Sequence, residues 1–540
     1  MASHRAAGLI PAAFALGVLF TSAAQAAPPT LTHLVPPGGQ RGTTVTVKCQ
    51  GKFDWPVAVS APGVQAVPGK ESGQLEITIP DNLAADRIWL RLHNAEGATA
   101  AAPFLIGSVQ ELAEKEPNNS PETAHFIEAA AVTVNGVYQK SDVDSFAVHL
   151  EAGQTLVAAL DANTKLGSPV DAVLQVVTDK GFVLAENHDD VGLDPRLTIT
   201  APSSGRFIVR TFAFPATPDS SIQFFGNDTC IYRLTLTTGP FITHTAPLSA
   251  PLSEPGQVDA FGWNISPDQK LSVVAMTTNA GTGDPIELEP QGDARLLDSI
   301  RPGLAFSPSL AGVGRLRLAP FPALSTVSLP ADSAATPFPV PGAVTGRLSQ
   351  PREIDRYQLT LAKGQKVLVL AEGSDLDFPV EPVLKLTDPK GAVVATLDEI
   401  SPKKTVLLNH TAAQDGIYEL TIRDRYRTGG ERSFYQLSAR IEEPDFELTM
   451  SAESLVIPHD KPAELTVNVV RRGNGVGPIT ISATGLPDGI KVEDVTSDTK
   501  GDTASKVKLK FTTTGPAFSG AIRVTGQSNE PVELRRSARP

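Results

Sequence analysis

Cysteine is almost missing from this chain. Cys49 and Cys230 are the two among 540 residues, which excludes a disulfide-stapled scaffold and a thiolate zinc cage. They fall in different expected domains, and the sequence leaves a bridge and two buried thiols both open. Histidine is scarce as well, nine in all, and none shares a catalytic motif with serine or cysteine. No G-x-S-x-G elbow, H-E-x-x-H pair or Walker loop is present. Aromatic residues make up 6%, thin for a polysaccharide stacking platform, so Trp55, Trp89 and Trp263 read as core anchors. Basic blocks are absent and the formal charge is −13, the wrong field for a nucleic-acid partner. Beyond the N-terminus no stretch approaches the ~18 apolar residues of a membrane span.

What the chain has in quantity is proline and glycine, 45 and 44 residues, spread evenly as turn punctuation. Short alternating runs between those turns predict an all-β chain of tandem β-sandwich domains. Its length suits about three to five of them. Residues 1–26 read as a secretory signal peptide: His4 and Arg5, an apolar run over Ala6–Phe20, then Ala24-Gln25-Ala26 as cleavage site. The mature protein is therefore expected to be exported, to the periplasm, cell surface or medium of a bacterium.

The expected domains are 30–107, Ig-like, with Thr43–Val47, Leu75–Ile79 and Ile88–Leu92 as strands; 108–238, a sandwich behind an acidic linker; and 240–335, Ig-like. A second sandwich over 338–442 and a last Ig-like domain over 444–540 follow. The Pro- and Ser-rich stretch from Ala319 to Pro341 holds either the third domain's last strands or a linker.

Chemistry concentrates between Glu114 and Gln154. Glu114, Glu116, Asn118 and Asn119 place four oxygen-bearing side chains within six residues, and Asp142 and Asp144 follow at the mouth of a strand. Hard oxygen donors in that number suit Ca²⁺. With no cysteine and only His125 nearby, zinc is disfavoured. The competing reading is a solvated acidic linker. Pro117 and Pro121 favour the ordered alternative, because they stiffen the segment. A second acidic loop, Asn187–Asp194, raises the same question with Asp171, although Asp and Gly are also what turns demand.

The same passage resembles the bacterial pre-peptidase C-terminal domain, a β-sandwich related to the collagen-binding modules of bacterial collagenases. The matching pieces are E-x-E-P-N-N at Glu114–Asn119, D-V-D-S-F at Asp142–Phe146, Ala152-Gly153-Gln154, Leu166–Asp171, Asp189-Asp190, Gly205-Arg206-Phe207 and Tyr232-Arg233-Leu234. The resemblance implies a Ca²⁺ site built from the linker acids and the D-x-D segment: Glu114, Glu116, Asn118, Asn119, Asp142 and Asp144. The opening of 30–107, P-x-G-x-x-R-G-T, resembles the IPT/TIG class of Ig-like domains.

The marks of this sandwich recur. Asp144 and Gly153 are answered by Asp355 and Gly364, both 211 residues on, and Tyr232 by Tyr435. The second copy has no E-P-N-N, and Glu353 and Glu381 stand for Asp142 and Asp171. If the first copy holds Ca²⁺ through its linker, the second is expected not to. The function expected is non-catalytic binding or adhesion to an extracellular protein or glycan. An accessory of a secreted peptidase and a structural matrix component are the alternatives. A hydrolase is the outside alternative, with either His188 beside Asp189-Asp190 as base and orienter or a glycosidase-like pair of carboxylates.

Overall fold

A computed structural model describes residues 28–539 except 219, 221–222, 277–300, 332, 399–405, 474, 517 and 519. The expected leader, 1–26, lies outside the described residues. Among the described residues nearly all ordered elements are strands, with helix at Asn163–Leu166 and a 3₁₀ turn at Ser374–Leu376. The all-β, multi-sandwich architecture read from the turn punctuation is the architecture found. No described helix is long and apolar enough to cross a membrane.

The first domain pairs a four-stranded sheet with a five-stranded one. Alternation does the work: Val47 and Cys49 on Thr44–Lys52, and Leu75 and Ile77 on Gln74–Thr78, point inward to meet Ile88, Leu90 and Phe104. Cys49 and Cys230 are both buried free thiols, so the open question of a bridge closes in favour of packing. Trp55 and Trp263 lie partly buried against the cores, as anchors.

The sandwich that follows has two five-stranded sheets, and the linker is stitched into both. Gln110–Ala113 runs parallel to Ala131–Val137 on one sheet, and His125–Phe126 runs parallel to Asp144–Leu150 on the other. The acidic residues 114–119 therefore cross from sheet to sheet. In the next domain the described strands join into one seven-stranded path over 241–319, where the first domain has two separate sheets. Ala323–Ser325 and Thr336–Pro337, inside the Pro/Ser-rich stretch, pair with Gly342–Arg347 and Asp355–Leu361. They are the second sandwich's own stitching strands, placed like the linker of the first.

The 211-residue offset also reaches the domains that precede the two sandwiches. Thr32-His33 and Thr243-His244 sit at the same ladder irregularity. Gly51 and Gly262 each lie where a Cβ would stand 2.0 or 1.9 Å from a carbonyl oxygen of the neighbouring strand. The chain is thus one two-domain unit repeated, with a fifth domain from Asp445 onward on its own core. Contacts bind the parts across the repeat. Arg41 is buried, donates to the carbonyls of Leu83 (3.1 Å), Ala85 (2.6 Å) and Gly107 (3.2 Å), and lies 4.3 Å from the Phe306 ring centre. Asp86 pairs with Arg315 at 2.8 Å.

Candidate metal centre

The crossing linker brings three carboxylates together. One oxygen each from Glu114, Glu116 and Asp144 lies within 4.8 Å of the others. Glu114 is set by backbone pairing: its N–H donates to the Asn135 carbonyl at 3.0 Å, continuing the parallel ladder. Its Oε1 accepts from the Val137 N–H at 2.9 Å and its Oε2 from the Tyr232 hydroxyl at 2.8 Å. Glu116 Oε2 accepts from the Asn118 N–H at 2.9 Å, and the Asn118 carbonyl accepts from the Ser145 N–H at 3.0 Å. The linker thus hangs directly over the strand that begins at Asp144.

Asp144 is the anomaly. It is fully buried, and neither carboxylate oxygen has a hydrogen-bond partner. Asn118 is equally buried, with both ends of its amide unpartnered. Buried polar groups are nearly always paired, and an unpaired one costs roughly 1–3 kcal/mol. Two charges 4.8 Å apart repel by roughly 3–4 kcal/mol at an effective dielectric near 20. Burial, then Glu114 and Asp142, push the Asp144 carboxyl up to about 9, and the Tyr232 hydroxyl, committed to Glu114, opposes this weakly. Burial also raises Glu114. The donor set is hard, anionic and oxygen-only, which fits a divalent cation of the Ca²⁺ type. The residues that would hold it are Glu114, Glu116, Asp144 and the Asn118 oxygen.

Two of the six expected ligands are used otherwise. Asn119 Nδ2 donates to Asp142 Oδ1 at 2.9 Å, and Asp142 also accepts from the Val143 and Gln139 N–H groups. The copy explains it: Glu353 accepts from the Gln350 N–H at 2.8 Å and the Ser349 hydroxyl at 2.9 Å, holding the same turn. The acid at this position fastens a loop in both sandwiches.

Residues not named as ligands from the sequence complete the site. The Tyr138 and Tyr232 rings pack with centroids 4.6 Å apart, tilted by 31°. Gly136 gives them room: a Cβ there would meet the Tyr232 ring at 2.2 Å and Glu114 Oε2 at 2.6 Å. The repeated Gly–Tyr pairs, Gly136 with Tyr232 and Gly346 with Tyr435, were the available signal.

In the second sandwich Thr326 follows the last ladder pair, Ser325–Thr345, as Glu114 follows Ala113–Asn135 in the first. Its N–H donates to the Thr345 carbonyl at 2.9 Å, as that of Glu114 does to Asn135. Asp355 occupies the Asp144 position, and Tyr357 that of Phe146. The Tyr357 hydroxyl lies 2.9 Å from Thr326 Oγ1 and 2.6 Å from the Tyr435 hydroxyl, and Tyr435 donates to Asp355. A neutral chain of hydroxyls satisfies the one carboxylate left.

The acidic loop is not a second cluster of this kind. Asp194 accepts from the Asn163 N–H at 2.7 Å and the Thr164 N–H at 3.1 Å, capping the short helix. Asp190 pairs with Arg432 of the second sandwich at 2.7 Å. His188 Nε2 lies 2.9 Å from Glu186 Oε1.

No family model matches the chain, and no curated protein does. Among solved structures, the pre-peptidase C-terminal domain of a collagenase from Bacillus anthracis is 16% identical. It covers 21% of this chain and 99% of its own, at a TM-score of 0.17. The lysozyme inhibitor PliG of Aeromonas hydrophila is 14% identical over 24% of this chain and 95% of its own, at 0.15. A tetra-tandem repeat of a large adhesion protein is 10% identical over 95% and 98%, at 0.14. Such likeness decides neither family nor ligand.

Proposed function

We propose that this is an exported, non-catalytic binding protein of the bacterial envelope. Its first pre-peptidase-like sandwich is closed by one Ca²⁺ ion. The observation that carries the cation is Asp144, buried with both oxygens unpartnered beside Glu114, Glu116 and the unpartnered Asn118 amide. Bound there, the cation neutralises carboxylates that otherwise repel, and fixes the linker to both sheets. It thereby sets the first Ig-like domain against the sandwich, so that their loops present a rigid surface to an extracellular protein or glycan.

Calorimetric titration of the chelator-treated full chain with CaCl₂ tests this. Saturable heat and a raised melting temperature, both removed by Asp144→Asn and reduced by Glu116→Ala, are expected. Absence of heat together with an unchanged melting temperature would sink the cation site.

A further inference from the structure

The two sandwiches differ on a second surface, the outer face of the sheet formed by Val170–Thr178 and Gly205–Pro215. Val209, Thr211 and Ala213 turn inward, which leaves Phe212 and Phe214 on the outside. Phe212 stacks on Phe224 at 4.4 Å, and Phe214 meets Phe224 edge-on at 5.7 Å. Phe214 remains 36% exposed. Directly across the ladder from Phe214 stands Asp171. Burial and the neighbouring Asp189 raise its carboxyl, and only the exposed His188 opposes them. An acid between a like charge and an aromatic cluster is short of a cation.

The second sandwich supplies that cation from its own chain. Asp171 corresponds to Glu381, and Phe212 and Phe214 correspond to Arg423 and Arg425. Arg425 pairs with Glu381 at 3.3 Å and with Asp398 at 2.7 Å, and Arg423 with Asp398 at 3.2 Å. The same position of the same sheet is internally neutralised in one copy and left acidic and aromatic in the other.

We propose that this face of the first sandwich docks an arginine-bearing segment of a partner protein. The partner's guanidinium lies on the Phe212–Phe214–Phe224 cluster against Asp171, where the second copy carries Arg425. Arginine is favoured over lysine because a planar, weakly hydrated guanidinium stacks on rings while pairing with a carboxylate. The proposal deepens the binding reading by naming a face and a ligand chemistry. It uses none of Glu114, Glu116 or Asp144, so its failure and that of the cation site appear in different variants.

The test is fluorescence anisotropy of a labelled Gly-Gly-Arg-Gly-Arg-Gly-Gly peptide with the full chain in saturating CaCl₂ at low salt. Lysine and citrulline versions serve as controls. Saturable binding is expected for the arginine peptide and none for citrulline. Asp171→Asn should weaken it at least ~5-fold, the scale of one partly desolvated cation contact. Phe214→Arg, which copies the second sandwich, should abolish binding while raising the melting temperature. Equal binding of the citrulline peptide, binding unchanged in Asp171→Asn, or no binding at millimolar peptide overturns the proposal. Equal binding of the lysine peptide overturns the arginine assignment.

Discussion

The two sandwiches share strand order, the Gly–Tyr stack and an aspartate at the start of the same strand, yet they satisfy that aspartate in opposite ways. In the second, Asp355 receives the Tyr435 hydroxyl and a chain of hydroxyls runs through Tyr357 to Thr326. In the first, Phe146 contributes no hydroxyl, Glu114 replaces threonine, and Asp144 is left with two bare oxygens among acids. Duplication acts here as an internal control. What both copies keep, the turn-holding acid and the glycine under the tyrosine, belongs to the fold. What only the first has, an excess of buried negative charge, is what a cation would explain.

The comparison breaks most forcefully at the glycine. In Gly136→Ala the new methyl meets ring and carboxylate at once, and overpacking of this kind costs about 1–3 kcal/mol. Both stability to urea and cation binding should fall, whereas Gly346→Ala should cost stability alone. Asp144→Asn comes next and carries an unusual sign. Because the carboxyl is raised to about 9, the cation-free fold favours the neutral form. At pH 7.5 folding must protonate a carboxyl that is ionised in the unfolded chain. An amide removes that cost, and should raise the melting temperature without cation by several degrees and remove the rise on adding CaCl₂. Asp355→Asn, which disturbs a satisfied carboxylate, should lower it. Scanning calorimetry of the four single variants decides this.

A pH series sharpens the comparison at the domain junctions. His244 is half-buried and packs against Phe261, Phe378 and Phe434. Burial, aided by Arg432 and Arg347, depresses it to about 3. The folded state therefore holds it neutral, while the unfolded chain takes up a proton near pH 6.5. Its contribution is complete above pH 6.5 and erodes as pH falls toward 3, by at most about 1.4 kcal/mol per unit. His33, its counterpart in the first unit, is lowered by burial but feels the opposing charge of Asp228. His244→Phe should flatten the acid limb of the denaturation curve more than His33→Phe does. The smallest effect expected is that of Tyr357→Phe, which recreates Phe146 in the second copy. Losing its hydroxyl bonds should cost about 1 kcal/mol and create no cation site, since Thr326 supplies no charge.

How much of this was legible in the sequence follows physical lines. Alternation and turn residues determine strands locally, so the all-β architecture and the repeat could be read directly. Glu114, Glu116 and Asp144 stood out because oxygen donors cluster along the chain. Asp142 and Asn119 belong to the same string of letters, but whether a side chain faces a cavity or its own turn depends on backbone direction at a loop, which spacing does not encode. Tyr232 reaches the site from 118 residues away, through sheet pairing alone. Arg425 and Phe214 became comparable only once the ladder had aligned them.

If the first sandwich holds a cation and the second does not, the metal stoichiometry of the chain is one. Equilibrium dialysis of the full chain against Ca²⁺, with elemental analysis of the retained metal, should find one ion per chain. That ion should be absent in Asp144→Asn and retained in Asp355→Asn. No retained ion, two ions per chain, or one ion lost with Asp355 instead of Asp144 would contradict it.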